Sequence, residues 1–210
     1  MSETGANSDH GTPLLLERFE RTGFDPRLVW SNAPPAFRND ERGLTIETAA
    51  NTDLWQRTHY GFRAENAHAL LATVTSDFRL ETEVVFEPAH QYDQAGLLVW
   101  ISNECWLKTS IEFEPGEPSR LGSVVTNAAW SDWATQDIPG NVRHARYRVV
   151  RRSGDYTVQA ALKDGTFSQL RLARLHEDDG SRPIRAGIYA CSPKAAGFQA
   201  SFRFLSIDTF

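Results

Sequence analysis

The stretch YDQAGLLVWISNECWLKTSIEFE, from Tyr92 to Glu114, decides how the rest of the chain is read. In its first half Ala95, Leu97, Val99 and Ile101 alternate with Gln94, Gly96, Leu98 and Trp100. In its second half Leu107, Thr109, Ile111 and Phe113 alternate with Trp106, Lys108, Ser110 and Glu112. A period of two marks strands with one face turned to a core, and two such runs around a short polar connection make a hairpin. Directly opposed residues share a face, so the connection must keep both apolar sets on one side. A three-residue loop, Ser102-Asn103-Glu104, meets that condition and a two-residue loop does not. It pairs Ile101 with Cys105 on the core side. On the other face it pairs Trp100 with Trp106, Leu98 with Lys108, Gly96 with Ser110 and Gln94 with Glu112.

The same alternation recurs on both sides of this hairpin. Phe78, Leu80, Thr82, Val84 and Phe86 oppose Arg79, Glu81, Glu83 and Val85, and later segments around Tyr147, Val158, Ile188 and Phe202 repeat the pattern. Turn chemistry separates them, at Pro139-Gly140, Ser153-Gly154-Asp155 and Asp178-Asp179-Gly180 for example. Pro13–Arg21 is the one stretch that reads as a short amphipathic helix. So many short strands in 210 residues predict an all-β fold, a two-sheet antiparallel β-sandwich of jelly-roll type. Residues 1–13 read as a disordered tail and 14–210 as a single domain.

Composition narrows the function classes. The net charge is −5 and no apolar run is long enough to cross a bilayer as a helix, so neither a nucleic-acid nor a membrane partner is expected. The start lacks the pattern of a signal peptide. With only Cys105 and Cys191, far apart, the chain reads as cytoplasmic with buried thiols. Nothing has metal-ligand spacing, so no metal is expected, and no motif specifies a cofactor. Six Trp stand against a single Met, a balance that favours strands.

The non-core face of the central hairpin carries two tryptophans at one end and an amide with a carboxylate at the other, with Lys108 between. Indole faces stack on the C–H face of a sugar, while its hydroxyls need paired donors and acceptors. The plain alternative is a Trp–Trp cross-strand pair beside a solvated Lys–Glu pair.

Four stretches carry a family resemblance: TDLWQRTHYGFRAENAH (52–68), YDQAGLLVWISNECWLKTSIEF (92–113), SVVTNAAWSDW (123–133) and GIYACSP (187–193). Together they resemble the regulation-of-enolase protein family, a family of unknown function in the concanavalin A-like lectin/glucanase superfamily. The resemblance implies a jelly roll whose concave face is the one lectins and glucanases use. The register above puts Gln94, Trp100, Trp106, Lys108 and Glu112 together on the non-core side, which is then read as the concave one, making them ligand-binding candidates. His59 and Tyr60 join them from the first stretch, and Asp132 and Trp133 from the third. His59 has the acid/base range for catalysis, but a single His is more often structural. Asp132 reads equally as a turn residue.

Glu81, Glu83 and Glu87 only approximate the superfamily's catalytic Glu-x-Asp-x-x-Glu and read as a polar outer strand. The arginines at 143, 146, 148, 151 and 152 read as a solvated strand face. The resulting expectation is a protein that binds a small-molecule or oligosaccharide ligand. One rival is a glycan-active enzyme using Glu112, Lys108 and His59; the other is a regulatory, protein-binding domain. Homodimerisation through a sheet edge fits all three.

Overall fold

The computed structural model describes residues 11–59, 61–162 and 165–210. Among them the chain contains no helix. It runs through β1 (Thr12–Glu17), β2 (Val29–Ser31), β3 (Ala36–Asp40), β4 (Gly43–Glu47), β5 (Leu54–Gln56) and β6 (Arg63–Glu65). Next come β7 (His68–Val74), β8 (Phe78–Glu87), β9 (Gln94–Ser102), β10 (Cys105–Glu112), β11 (Ser119–Asn127) and β12 (Trp130–Ile138). The last are β13 (His144–Arg152), β14 (Asp155–Leu162), β15 (Ser168–Arg174), β16 (Ile184–Cys191) and β17 (Gln199–Thr209).

Two large antiparallel sheets form a sandwich, as the alternation predicts. One has the order β15-β14-β13-β8-β17-β4-β3, with β1 also on β17; the other runs β12-β11-β10-β9-β16-β7-β2. A separate small hairpin, β5–β6, stands apart from both. Between the sheets lies the main core. Phe78, Leu80, Val84 and Phe86 of β8 meet Leu97 and Val99 of β9 and Leu107 and Ile111 of β10, all buried. Each such side chain contributes about 1.5–3 kcal/mol by leaving water.

Three readings are corrected. Pro13–Arg21 is not helical: β1 pairs with β17, Leu15 enters the core and Leu16 faces solvent, so the leucine run behaves as a strand on an available sheet edge. The β9–β10 connection is also shorter than expected. Cys105 pairs with Ser102 across Asn103 and Glu104, and a bulge next to Cys105 supplies the extra residue that restores parity. From Trp100–Trp106 to Gln94–Glu112 every expected pair is observed. Arg151, finally, is not solvated. It follows Ala145, Tyr147 and Val149 inward on β13 and is fully buried against Asp178. Arg148 does lie outside, with its Nε 2.7 Å from Glu81, which makes the acidic face of β8 a polar outer strand. Cys105 and Cys191 are both buried and free.

Candidate functional site

The outward face of the seven-stranded sheet is built in rows by its register. One row runs Arg185–Trp100–Trp106–Thr126, the next Gly187–Leu98–Lys108–Val124–Trp133, then Tyr189–Gly96–Ser110–Gly122 and Cys191–Gln94–Glu112–Arg120. Gly96 is required at its place, because a Cβ there would stand 1.9 Å from the Thr109 carbonyl oxygen of the adjoining strand.

This face is not an open aromatic platform. Leu54 of β5 packs with Leu71, Leu98, Trp100, Trp106, Val124 and Tyr189 in a second apolar cluster. Trp100 and Trp106 stack on each other, centroids 6.5 Å apart and nearly parallel, and Trp106 is wholly buried. The expectation that these two indoles stack on a ligand is therefore corrected: their faces are spent on each other and on the residues above them. Trp133, in contrast, remains 40% exposed and meets Trp55 edge-on at 6.5 Å.

Lys108 is buried, and its ammonium lies 3.1 Å from Asp53 Oδ1, in the segment leading into β5. Burial opposes the charge more than any other single influence. The acidic groups around it, Asp53 first, together outweigh that and hold the ammonium above the usual lysine range. Glu112 sits half-buried at the end of β10. Burial pushes its carboxyl up to about 7; Lys108 and the Gln94 amide pull it down, while Asp53 and Glu114 push it further up. The Gln94 amide donates to Glu112 at 3.1 Å. The Tyr189 hydroxyl, 2.8 Å from Ser110 Oγ and 3.1 Å from Gln94 Oε1, fills the gap left by Gly96 and Ser110.

Two depressions flank the Lys108–Asp53 pair. The smaller, of about 10 Å³, has room for one water and is lined by Gln94, Lys108, Glu112, Arg120 and Trp133 among others. The larger, about 360 Å³, lies against the β5–β6 hairpin and is lined by Asp53, Phe62, Arg63, Glu65, Asn66 and Pro193 among others. That volume is in the range of small-ligand sites.

Of the expected residues, the fold thus brings Gln94, Lys108, Glu112 and Trp133 together. Asp132 is on the opposite face of β12, opposite Val125, where Arg171 of the other sheet binds it at 2.6 Å. Parity excludes it from the Trp133 side. His59 lies in the β5–β6 connection with a φ of 68° and, among the described residues, lines neither depression. Tyr60 falls outside the described residues. Sequence reasoning missed Asp53 and Tyr189. The alternation of Ile184, Ala186 and Ile188 already put Tyr189 on the outer face, whereas nothing local marks Asp53 as the partner of Lys108.

The fold is an antiparallel two-sheet β-sandwich of jelly-roll type with a polar depression on one outer face. The chain belongs to the family described as "Protein of unknown function (DUF1349)", whose model matches residues 30–209. It is 34% identical over 174 residues to "Regulation of enolase protein 1" of Saccharomyces cerevisiae, covering 83% of this chain and 85% of that one. A crystal structure of a functionally unknown protein from the same yeast superposes with a TM-score of 0.79 at 32% identity, covering 88% of this chain and 97% of that one. In fold alone the chain is similar to xylan beta-1,4-xylosidase from Bacillus halodurans C-125. That match has a TM-score of 0.69 at 10% identity and covers 99% of this chain but 41% of the xylosidase.

Proposed function

We propose that the protein recognises a carbohydrate on the outer face of the seven-stranded sheet, seated against Trp133 and the polar groups beside it. The observation that carries this reading is one open indole bordering Gln94, Glu112 and Arg120, next to a sugar-sized cavity at Asp53. Trp133 supplies the stacking face, and the amide, carboxyl and guanidinium supply hydroxyl partners. In the cavity Phe62 and Pro193 give apolar walls between Arg63, Glu65 and Asn66. The sandwich fold shared with a xylosidase supports the reading at the level of architecture. Two free buried thiols suit a reducing, intracellular setting.

Calorimetric titration with a panel of mono- and oligosaccharides tests it. Binding that Trp133→Ala weakens is the expected result. No heat from any sugar up to about 10 mM, weaker than the millimolar regime of about −4 kcal/mol, overturns it.

A second reading, a glycan-active enzyme, is favoured by one observation, the upward shift of Glu112. A carboxyl near 7 is suited to proton donation at neutral pH, and Asp53, ion-paired to Lys108, would be the second carboxyl. Release of reducing sugar that disappears in Glu112→Gln is the expected signature. An unchanged rate in that variant removes the reading.

A further inference from the structure

The outer face of the other, eight-stranded sheet is a lattice of answering charges. Glu81 receives Arg148 at 2.7 Å and Arg79 at 3.2 Å, and Glu83 receives His144 at 3.1 Å. One corner is built differently. The β17–β8 ladder slips between Phe202 and Phe204, so Arg203 is the extra residue of a β-bulge. Bulges re-aim a side chain relative to its ladder.

The β17–β4 ladder ends at the neighbouring pair, Phe202 with Leu44. There Gly43, at a φ of +100°, lies so close to β17 that a Cβ would stand 2.1 Å from the Phe202 carbonyl oxygen. Only glycine permits that approach, and it brings Arg42, the residue before it, to the bulge. Arg38 of β3 stands opposite Thr45, which in turn stands opposite Ser201. Arg38, Arg42 and Arg203 consequently line one cavity of about 90 Å³, together with Ser201, Gln199 and Glu87. On the measure in which one water needs about 10–15 Å³, the space exceeds a single water several-fold, enough for a single tetrahedral oxyanion.

The three guanidinium groups are only partly engaged. Asp40 takes Arg38 Nε at 3.2 Å and one terminal nitrogen of Arg42 at 3.4 Å, and Glu83 lies 3.7 Å from Arg203 Nε. Each has N–H donors to spare, and a planar fork of donors matches phosphate oxygens in pairs.

We infer that this corner binds a phosphoryl group, carried either by inorganic phosphate or by a phosphomonoester. Glu87, the carboxylate in the same lining, gives the site a means of selection. The hydroxyl of inorganic hydrogen phosphate can donate to Glu87, and a phosphomonoester can do so in its singly protonated form, which prevails below about pH 6. Sulfate, with no proton at neutral pH, can only be repelled by Glu87.

Titration calorimetry of the full chain at constant ionic strength, with inorganic phosphate, glycerol phosphate and sulfate, tests this. Phosphate or glycerol phosphate is expected to bind, with the tighter of the two identifying the free ion or the ester as the source. Sulfate is expected to bind about tenfold or more weakly than inorganic phosphate, and Glu87→Gln to narrow that gap. Arg203→Ala should weaken binding about tenfold. Arg42→Ala, on an exposed turn, should do the same without altering the melting temperature. Three results overturn the inference: no heat at about 10 mM phosphate, equal binding of sulfate by the native chain, or undiminished affinity in the folded Arg42→Ala variant.

Discussion

Two buried ion pairs, one on each sheet of the sandwich, differ in what they leave over. Arg151 and Asp178 are both inaccessible to solvent. The guanidinium reaches both carboxylate oxygens, at 2.6 and 2.7 Å, and also donates to the Ser76 carbonyl, while Tyr156 and the Gly180 amide donate to the same carboxylate. Every strong acceptor is used, and the pair is a closed fastening between β13, β14 and the loop after β15. Lys108 and Asp53 share one contact of 3.1 Å, and Asp53 borders an open cavity. A buried charge is therefore not by itself the mark of a site. Unused hydrogen-bonding capacity next to accessible volume is the better guide.

The contrast can be broken most severely at Arg151. Arg151→Ala abandons a buried carboxylate, and denaturant unfolding should show a loss of about 3–5 kcal/mol. The two regions should next separate by pH. Burial pushes the Asp178 carboxyl up, but the hydrogen bonds from Arg151 and Tyr156 outweigh it and hold it below the usual carboxylate range. Its contribution is present above the unfolded value and is lost as the pH falls through the folded one. Glu112 has the opposite sign. Its pKa is raised to about 7, so its contribution is present below the unfolded value of roughly 4.5 and is lost as the pH climbs to about 7. Relative to Glu112→Gln, the native chain should lose on the order of 2–3 kcal/mol across that window, read from unfolding curves on either side.

Lys108→Met should cost less than Arg151→Ala, about 1–2 kcal/mol, because water from the cavity can solvate Asp53 once the ammonium is gone. Hydrogen exchange should show the loss concentrated at the β5–β6 hairpin. Trp133→Ala should move stability least, within about 0.5 kcal/mol for an exposed edge position. A large loss there would recast Trp133 as a structural residue and sharpen the comparison against a ligand seat.

The same contrast explains how much could be read in advance. Period-two alternation carried the sandwich, and parity alone gave the register from Gln94–Glu112 to Trp100–Trp106. It also told which residues share a face. It could not tell what covers that face. The segment around Leu54 has too few residues to show a period, so nothing local announced that it would bury Trp100 and Trp106. Asp53 and Lys108 lie in segments that meet only after both sheets have formed, and Arg151 is inside because Asp178, from a distant loop, neutralises it. Asp132 was misplaced for a simpler reason. It adjoins Trp133 in the chain and so must point the other way on a strand.

Gly96 has a consequence that reaches beyond packing. With no Cβ tolerated 1.9 Å from a neighbouring carbonyl, this stretch of the outer face is dictated by main chain and cannot be remodelled by exchanging side chains. The rim residues Trp133, Glu112 and Arg120 carry no such restriction. A change of sequence that keeps the glycine can therefore alter this surface at the rim alone, the backbone acting as a fixed mould and the surrounding side chains as its interchangeable lip.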